Sequence, residues 1–329
     1  MAKISKESIK VFLKNRRGLY RFGRWLFNAV RHNERLSRTC SFGPENEDKT
    51  IFLIRPNSED GVQGLLSLFI QSIAWVDFAK RKGYIPYIDY LQYKTQYYDG
   101  KHNVWEDYFT QPSDLTYSEI FRSRKVIFSG PMLFDEANEG MFEKEIFTDP
   151  AQCRYCHDLI WNNISLSQEA KEIVEREAQA LNIDSCIGLY LRGTDYTKMR
   201  PTGEHVQPDM DQFLEKVDEF TAKYPDAPLF LVTEDREHYD RLKAHCGDRL
   251  RIVSFDSFVD NYDGKDFLSK SDVLSHDTKK RGMDYLVKMV LLSRCRYLVS
   301  SITMGSIAAY AMNGNRYEDS YIFDLGLYS

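Results

Sequence analysis

The chain has 329 residues, of which 43% are hydrophobic and 14% aromatic, enough for two globular domains with sizeable apolar cores. No apolar run reaches about 18 residues, and no signal-peptide pattern is apparent, so we expect a cytoplasmic protein without a membrane-spanning helix. The net charge of −5 is uneven: residues 1–38 carry eleven Lys or Arg and two Glu, a charge of +9, and the remainder carries −14. The acidic body argues against a nucleic-acid-binding protein.

Residues 1–38 are predicted to contain a basic amphipathic helix. At about 100° per residue, four arginines share one face and four apolar residues lie roughly opposite, with Trp25 and Phe27 on the flanks. The basic face comprises Arg17, Arg21, Arg24 and Arg31, and the apolar face comprises Leu19, Phe22, Leu26 and Ala29. Two interpretations stay open: a helix lying on an anionic membrane surface, such as the inner membrane, or a helix packed on its own domain.

Residues 39–160 are predicted to form a first Rossmann-like domain. Residues 39–49 look like a polar loop, and a strand (Thr50–Pro56), a Gly-bearing loop, a helix (Leu65–Lys82) and a second strand then form a βαβ unit. A loop of this kind after a first strand often holds a ligand at a helix N-terminus. The loop residues of interest are Gly61, Gln63 and Gly64.

The stretch VWEDYFTQP, Val104–Pro112, is dense in both aromatic and polar residues. A packed Ω-like loop is the more common outcome for such a segment. The functional alternative is a sugar platform, in which a ring stacks on Trp105 or Tyr108 while Glu106 binds its hydroxyls.

The six cysteines suggest no disulfide framework in a reducing compartment. The run CRYCH, Cys153–His157, matches the C-x-x-C-H pattern of haem attachment, and it also resembles half of a zinc site. Haem attachment requires export, and zinc requires two further ligands at similar spacing, neither of which is apparent. We interpret the run as a chance match in a connecting segment and expect no metal.

The second half of the chain alternates short apolar strands with helices. A connecting helix is predicted within residues 161–184, followed by a second Rossmann-like domain over residues 185–329. Alternating β and α elements predict parallel sheets with helices on both faces. The predicted fold class is therefore α/β, with two doubly wound parallel sheets in domains that face a cleft.

Three predicted strands of this second domain end in polar residues, and doubly wound sheets bind ligands at the carboxyl ends of their strands. These ends are Arg192-Gly193-Thr194-Asp195, Thr233-Glu234-Asp235 and the helix-opening run Ser300–Ser306. An arginine binds phosphate bidentately, and a hydroxyl-rich helix start offers donors to a second phosphate. The pattern indicates a nucleoside diphosphate site, with Asp235 or Asp284 on the base or ribose.

Each pattern also has a purely structural interpretation. Arg192 and Asp195 can form an ion pair, Asp235 can cap a helix, and Ser300–Ser306 can simply begin one. The joint position of all three at strand ends favours a ligand site. No Walker motif, G-x-G-x-x-G, H-E-x-x-H or G-x-S-x-G is present, so kinase, dinucleotide, zinc-protease and serine-hydrolase chemistries are not supported.

At these residues the chain resembles the fucosyltransferase superfamily, which includes bacterial and animal α1,2-, α1,6- and protein O-fucosyltransferases. YLRGTDY (190–196) resembles its H-x-R-R-T-D segment, and FLVTED (230–235) resembles its strand ending in T-D-D. LLSRCRYLVSSITMGSIAAYAM (291–312) is similar to its last motif, and residues 60–89 look like a degenerate form of its first glycine-rich turn and helix.

The resemblance implies a GT-B fold, GDP-fucose as donor in the C-terminal domain, an acceptor in the cleft, inversion at the anomeric carbon and no metal. It places Arg192 on the donor β-phosphate, and Asp195, Glu234 and Asp235 on the acidic positions of the family. The other donor-binding residues are Tyr190, Gly193, Thr194, Thr233, Asp284, Ser301, Thr303, Met304, Gly305 and Ser306. The acceptor-binding residues are Gly61, Gln63, Gly64, Trp105, Glu106 and Tyr108.

The sequence departs from the family pattern at several positions. Gly193 replaces a second arginine and Tyr190 a histidine. Lys288 falls where some members have an acid that reads guanine, for which Asp284 is a substitute. The catalytic residues are predicted to be Arg192 together with a base that stays open between Glu204, His205 and Asp195.

These observations predict a metal-independent inverting glycosyltransferase. Its acceptor would be a glycan in the biosynthesis of bacterial cell-surface polysaccharide, such as lipopolysaccharide or capsule, or of glycolipid. The alternatives are a non-catalytic glycan-binding or assembly protein and a nucleotide-sugar-modifying enzyme of the same fold. The intact arginine and acidic pair favour an enzyme.

Overall fold

The computed structural model describes residues 37–56, 63–93, 95–130, 136–138, 140–260, 262–265, 267–268 and 277–329. The amphipathic helix predicted within residues 1–38 lies outside these ranges. The strands are β1 (Arg38–Cys40), β2 (Ile51–Ile54), β3 (Ile85–Ile88), β4 (Val126–Phe128), β5 (Ile187–Tyr190), β6 (Leu229–Val232), β7 (Leu250–Arg251), β8 (Tyr297–Ser301) and β9 (Asp319–Phe323).

The helices carry the rest of the regular structure. The α-helices are α1 (Leu65–Arg81), α2 (Tyr117–Ile120), α3 (Pro150–Trp161), α4 (Gln168–Leu181), α5 (Thr194–Met199), α6 (Met210–Lys223), α7 (Arg236–Cys246), α8 (Thr278–Arg294) and α9 (Met304–Asn313). Short 3-10 helices cover Val104–Asp107, Lys144–Phe147, Ile183–Ser185 and Gly247–Arg249. Within the described ranges, no helix has both the length and the apolar character that crossing a bilayer requires.

The N-terminal sheet has the strand order β1-β4-β2-β3. Strands β2 and β3 run parallel, with Ile51 opposite Ile85 and Ile54 opposite Ile88, so the predicted βαβ unit is confirmed. The loop predicted over residues 39–49 is wrong at its start, because β1 pairs antiparallel with β4 and gives this otherwise parallel sheet an antiparallel edge.

The C-terminal sheet has the strand order β7-β6-β5-β8-β9, and every neighbouring pair is parallel. Its central strands β5, β6 and β8 are buried along their whole length, as helices on both faces require. The edge strand β7 is short and covers only Leu250–Arg251. The α/β class is confirmed, with one fully parallel sheet and one that is parallel except at its β1 edge.

A single large apolar cluster joins the two halves of the chain. It contains residues of α1 such as Phe69 and Trp75, together with residues of α8 and α9 such as Leu292 and Ala308. Helix α9 contacts α3, α1 and α8, and α4 packs against α8. The two sheets are therefore held together by a shared helical layer.

The CRYCH run lies in helix α3. Cys153 and Cys156 are fully buried, and the Cys153 thiol donates to the Tyr310 carbonyl. Burial raises the pKa of Cys153 to about 11 and that of Cys156 to about 12. Both cysteines pack in the core shared by the two halves.

Candidate functional site

Arg192 lies just beyond the carboxyl end of β5, between two carboxylates. Its Nη2 donates to Asp195 Oδ1 at 2.8 Å, and its Nη1 lies 3.6 Å from Glu234 Oε2. The guanidinium carbon is 4.8 Å from the centre of the Tyr196 ring. Burial by itself lowers the pKa of Arg192, but Glu234 and Asp195 raise it well above its ordinary value. The side chain therefore stays charged, with 20% of it exposed.

The position of Gly193 has no room for the second arginine that the family carries after Arg192. A Cβ on Gly193 would lie 2.5 Å from Asp235 Oδ2 and 2.6 Å from Asp235 Cβ, closer than real side chains approach. The Gly193 N–H donates to Glu234 Oε1 at 3.0 Å. Asp235 also caps α7 by accepting from the first N–H groups of that helix. The acidic pair therefore packs directly against the backbone that carries Arg192.

Helix α9 begins beside this point, after β8. Thr303 is its N-cap and forms a capping box with Ser306: Ser306 N donates to Thr303 Oγ1 at 3.1 Å, and Thr303 N donates to Ser306 Oγ at 2.9 Å. Met304 follows with 45% of its surface exposed. The positive end of the helix dipole thus lies at the same sheet edge as Arg192. Ser301, predicted as a donor contact, is buried and donates to Gln207 Oε1.

Two tyrosines fix the contact between β5 and the start of α9. A Cβ on Gly305 would lie 2.5 Å from Tyr285 Oη and 2.7 Å from Tyr190 Oη, so only glycine fits there. The two hydroxyls are 3.3 Å apart. Tyr190 is buried, so its ring packs beneath this edge of the sheet. Tyr285 was missed by the sequence reasoning because it lies among the apolar residues of α8.

The remaining predicted donor residues already contact other groups of the protein. Thr233 is buried and accepts from the Asp235 N–H at 3.3 Å. Asp284 forms an ion pair with Lys280 one turn earlier in α8. Its carboxylate is therefore already paired.

Lys288, which departs from the family pattern, is neutralised by a buried acid. Its Nζ lies 2.9 Å from Asp256 Oδ1, and Asp256 Oδ2 has no hydrogen-bond partner. Burial raises the pKa of Asp256, although Lys288 acts in the opposite direction. Asp256 was not identified from the sequence.

The three residues proposed as catalytic base lie in different environments. Both Asp195 oxygens already accept hydrogen bonds, Oδ1 from Arg192 and Tyr196 N and Oδ2 from Leu268 N. Glu204 is exposed and accepts from the Tyr196 hydroxyl at 3.3 Å. Asp195 therefore orients Arg192, whereas the Glu204 carboxylate is open to solvent.

His205 lies next to Glu204 in the segment that follows α5. Its Nδ1 is buried without a hydrogen-bond partner. The His205 carbonyl accepts from Gln207 Nε2 at 3.0 Å, and Gln207 in turn contacts Ser301. This segment is thereby tied to the end of β8, a connection that no sequence signal indicated.

The predicted sugar platform is wrong for Trp105 and Tyr108, because both rings are enclosed. Trp105 is 1% exposed, lies 4.7 Å from Phe109 and 6.3 Å from Phe69 between ring centres, and donates from Nε1 to the Thr110 carbonyl. Tyr108 is equally buried, and its hydroxyl lies 3.3 Å from the Lys279 carbonyl at the start of α8. The loop is packed, as its structural interpretation predicted, and Tyr108 also contacts the start of α8.

The structure describes all but one of the other predicted acceptor residues. Glu106 is exposed and accepts from the Tyr87 hydroxyl at 3.2 Å. Gly64 is the N-cap of α1, Gln63 O accepts from Gln96 Nε2 at 2.7 Å, and Gln63 Oε1 is buried without a partner. Gly61 lies outside the described residues.

A second set of polar groups, which the sequence reasoning missed, lies at the carboxyl edge of the N-terminal sheet. Arg55 follows β2, Asp89 follows β3 and Ser129 follows β4, and all three are buried. Arg55 Nε donates to the Ser129 carbonyl at 3.0 Å. An acid directly after an apolar strand was the available signal for Asp89.

The donor set at the C-terminal edge, formed by Arg192 and the start of α9, consists of arginine, backbone N–H and hydroxyl groups, which suit an anion. Across the described part of the chain, no group of three or more His, Cys, Asp or Glu side chains is arranged to hold a metal ion. The fold and this edge define an α/β protein with a candidate anion-binding site at the carboxyl ends of β5, β6 and β8.

Comparisons with known proteins give only structural neighbours. No protein-family model matches the chain, and no curated protein matches it. It is similar to the fucosyltransferase NodZ from Bradyrhizobium, with 14% identity, 79% of this chain and 93% of that chain covered, and a TM-score of 0.48.

Two further neighbours are similar at comparable levels. They are a mutant of Arabidopsis thaliana FUT1 in complex with GDP (11% identity, 83% and 70% covered, TM-score 0.46) and POFUT1 in complex with GDP-fucose (11%, 86% and 100%, 0.47).

Proposed function

We propose that the chain is a glycosyltransferase that binds a nucleoside diphosphate sugar at the carboxyl edge of β5, β6 and β8. The observation that carries this proposal is the convergence of Arg192 and the start of α9 at that edge, with Gly193 and Gly305 kept free of side chains. A permanent cation and a helix N-terminus are the groups that bind two adjacent phosphates.

The donor that we propose is GDP-fucose, on the strength of the likeness of YLRGTDY, FLVTED and the last motif to the fucosyltransferase superfamily. Negative charge builds on the departing diphosphate in the transition state, and a preorganised arginine and helix start lower that barrier without a metal. The acceptor hydroxyl then attacks the opposite face of the sugar, with inversion. Among the three candidate bases we favour Glu204, because its carboxylate is exposed whereas both Asp195 oxygens are engaged.

The test is thermal stabilisation by GDP, UDP, dTDP, CMP and GDP-fucose, each with and without EDTA. A ligand at about 100 times its Kd adds about 2.7 kcal/mol to the free energy of unfolding. We expect stabilisation by GDP and GDP-fucose that is insensitive to EDTA and lost in Arg192→Ala. A response to UDP or dTDP alone refutes the donor, and no response to any nucleotide refutes the proposed function.

We further propose a cytoplasmic enzyme that attaches to the inner membrane through residues 1–38 and acts on a glycan of a bacterial surface polysaccharide or glycolipid. The charge of +9 on this segment supports the attachment. Each basic residue near an anionic leaflet contributes about 1 kcal/mol. Replacing Arg17, Arg21, Arg24 and Arg31 by Gln in the full chain should therefore weaken binding to anionic liposomes roughly a thousandfold, and unchanged binding excludes this attachment.

A second candidate function, a non-catalytic glycan-binding protein of the same fold, is favoured by one observation. Arg192 already has two carboxylate neighbours, Asp195 and Glu234, so a diphosphate must compete with them. In that case Arg192→Ala would leave ligand binding intact and lower only stability, because the buried Asp195 and the partly buried Glu234 lose their cation. The nucleotide panel separates the two functions.

A further inference from the structure

The carboxyl edge of the N-terminal sheet contains a buried carboxylate, Asp89, whose environment the proposed donor site does not explain. Asp89 follows β3 as Arg55 follows β2, and Ile54 pairs with Ile88 in the parallel register. The two charged residues are therefore next neighbours on adjacent strands and lie on the same face of the sheet. In a parallel sheet this is the edge at which ligands bind.

The two carboxylate oxygens of Asp89 have different surroundings. Oδ1 accepts from Leu91 N at 2.9 Å and from Gln92 N at 3.4 Å. Oδ2 is buried and has no hydrogen-bond partner. Because leaving a buried acceptor unpaired costs free energy, most such groups in folded proteins are satisfied. An unpaired oxygen of a 0% exposed carboxylate at a ligand-binding edge indicates a missing donor.

The charged and titratable groups around Asp89 define the chemistry of this edge. Burial raises the pKa of Asp89 to about 6, Arg55 lowers it and Glu106 raises it. Tyr87 and Tyr117 lie near Asp89: burial raises the pKa of both, and the charge of Asp89 adds to that rise. Asp89 is therefore ionised and only an acceptor at neutral pH. Its neighbour Glu106 is exposed, so this edge lies next to solvent.

We propose that Asp89 is a residue of the acceptor subsite, where Oδ2 accepts a hydrogen bond from a hydroxyl group of the glycan acceptor. An ionised carboxylate accepts strongly from hydroxyl donors, and sugar hydroxyls are such donors. The exposed Glu106 and the half-buried Tyr117 provide the polar and aromatic lining that is typical of sugar sites. The proposal rests on the proposed function, because it assigns the second substrate of the same reaction.

The experiment compares the full-length wild type with Asp89→Asn on a printed array of several hundred glycans in the presence of GDP. Asparagine keeps the volume and the Oδ1 acceptor but places an NH₂ group where Oδ2 was. Asp114→Asn, the same chemical change at an exposed position, is the matched control. We expect Asp89→Asn to bind the glycans of the wild type roughly tenfold or more weakly, and the control to bind them normally.

The pH dependence of glycan binding gives a readout that a merely structural role would not move. Wild-type affinity should fall as the pH drops through about 6, where Asp89 takes up a proton, and Asp89→Asn should lack this step. Equal binding by the two proteins, or no glycan binding by the wild type, overturns the proposal. Intact glycan binding without any GDP response would instead refute the donor site, so that the two failures are distinguishable.

Discussion

Replacing Asp89 by Asn should make the free protein more stable at neutral pH. The pKa of Asp89 is raised from an ordinary value of 3.8 to about 6, chiefly by burial. At about 1.36 kcal/mol per pKa unit, keeping this carboxylate ionised in the folded state costs about 3 kcal/mol. Asparagine retains the acceptor for the Leu91 and Gln92 N–H groups and carries no charge.

The sign of the pH dependence follows from the direction of that shift. A carboxyl group with a raised folded-state pKa binds its proton more tightly in the folded protein than in the unfolded chain. The contribution of Asp89 to stability is therefore present below about pH 4 and is lost as the pH rises to about 6. The advantage of Asp89→Asn should grow from about 1.6 kcal/mol at pH 5 to about 3 kcal/mol at pH 8.

Urea unfolding of wild type, Asp89→Asn and Asp114→Asn at pH 5 and pH 8 measures this difference directly. The exposed Asp114 control should show no comparable change between the two pH values. An advantage of Asp89→Asn that is equal at both pH values, or a variant less stable than wild type at pH 8, would refute the reasoning. A gain in stability accompanied by loss of glycan binding would mark a residue retained for function.

Four other substitutions test the packing of the protein. Gly193→Ala places a Cβ 2.5 Å from Asp235 Oδ2, so we expect a loss of about 1–3 kcal/mol in urea unfolding together with a weaker GDP-induced thermal shift. Gly64→Ala, where the Cβ meets open space, should change stability by less than about 1 kcal/mol. Trp105→Ala should lower the free energy of unfolding by about 3–5 kcal/mol in the same assay. A loss below about 1 kcal/mol would instead support an exposed ring, as the sugar-platform hypothesis requires. Thr303→Ala removes the N-cap of α9 and should cost about 1 kcal/mol, with a further fall in GDP affinity measured by calorimetry only if the hydroxyl also binds phosphate.

The C-terminal sheet was predictable because its signals are local. The strand residues Ile187–Tyr190 and Leu229–Val232 are continuous apolar runs that stop at polar residues, and the stop itself marks the carboxyl edge. The orientation of Arg192 between two carboxylates was not predictable in the same way. It depends on Glu234, about forty positions away in the chain, and on the parallel pairing of β5 with β6.

The errors in the N-terminal half have a common physical cause. The pattern around Trp105 indicates an aromatic and polar loop, but only distant residues such as Phe69 decide whether the ring is enclosed. Strand β1 has three residues and pairs with Val126–Phe128, so no periodicity within it was long enough to detect. Asp89 escaped notice because its burial arises from neighbouring strands and loops, whereas its local sequence reads as an ordinary strand end.

Thr194 gives the acidic pair a role that differs from ligand contact. Its φ of 44° lies in the left-handed region, which a β-branched residue enters only under constraint. The Thr194 N–H donates to Asp235 Oδ2 at 3.1 Å, and its hydroxyl donates to Glu234 Oε1 at 2.9 Å. Such backbone strain costs about 1–3 kcal/mol and persists when surrounding bonds hold it. Because Glu234 also lies beside the guanidinium of Arg192, the acidic pair fixes the strained turn and the cation together, and its effect on ligand binding is exerted through Arg192.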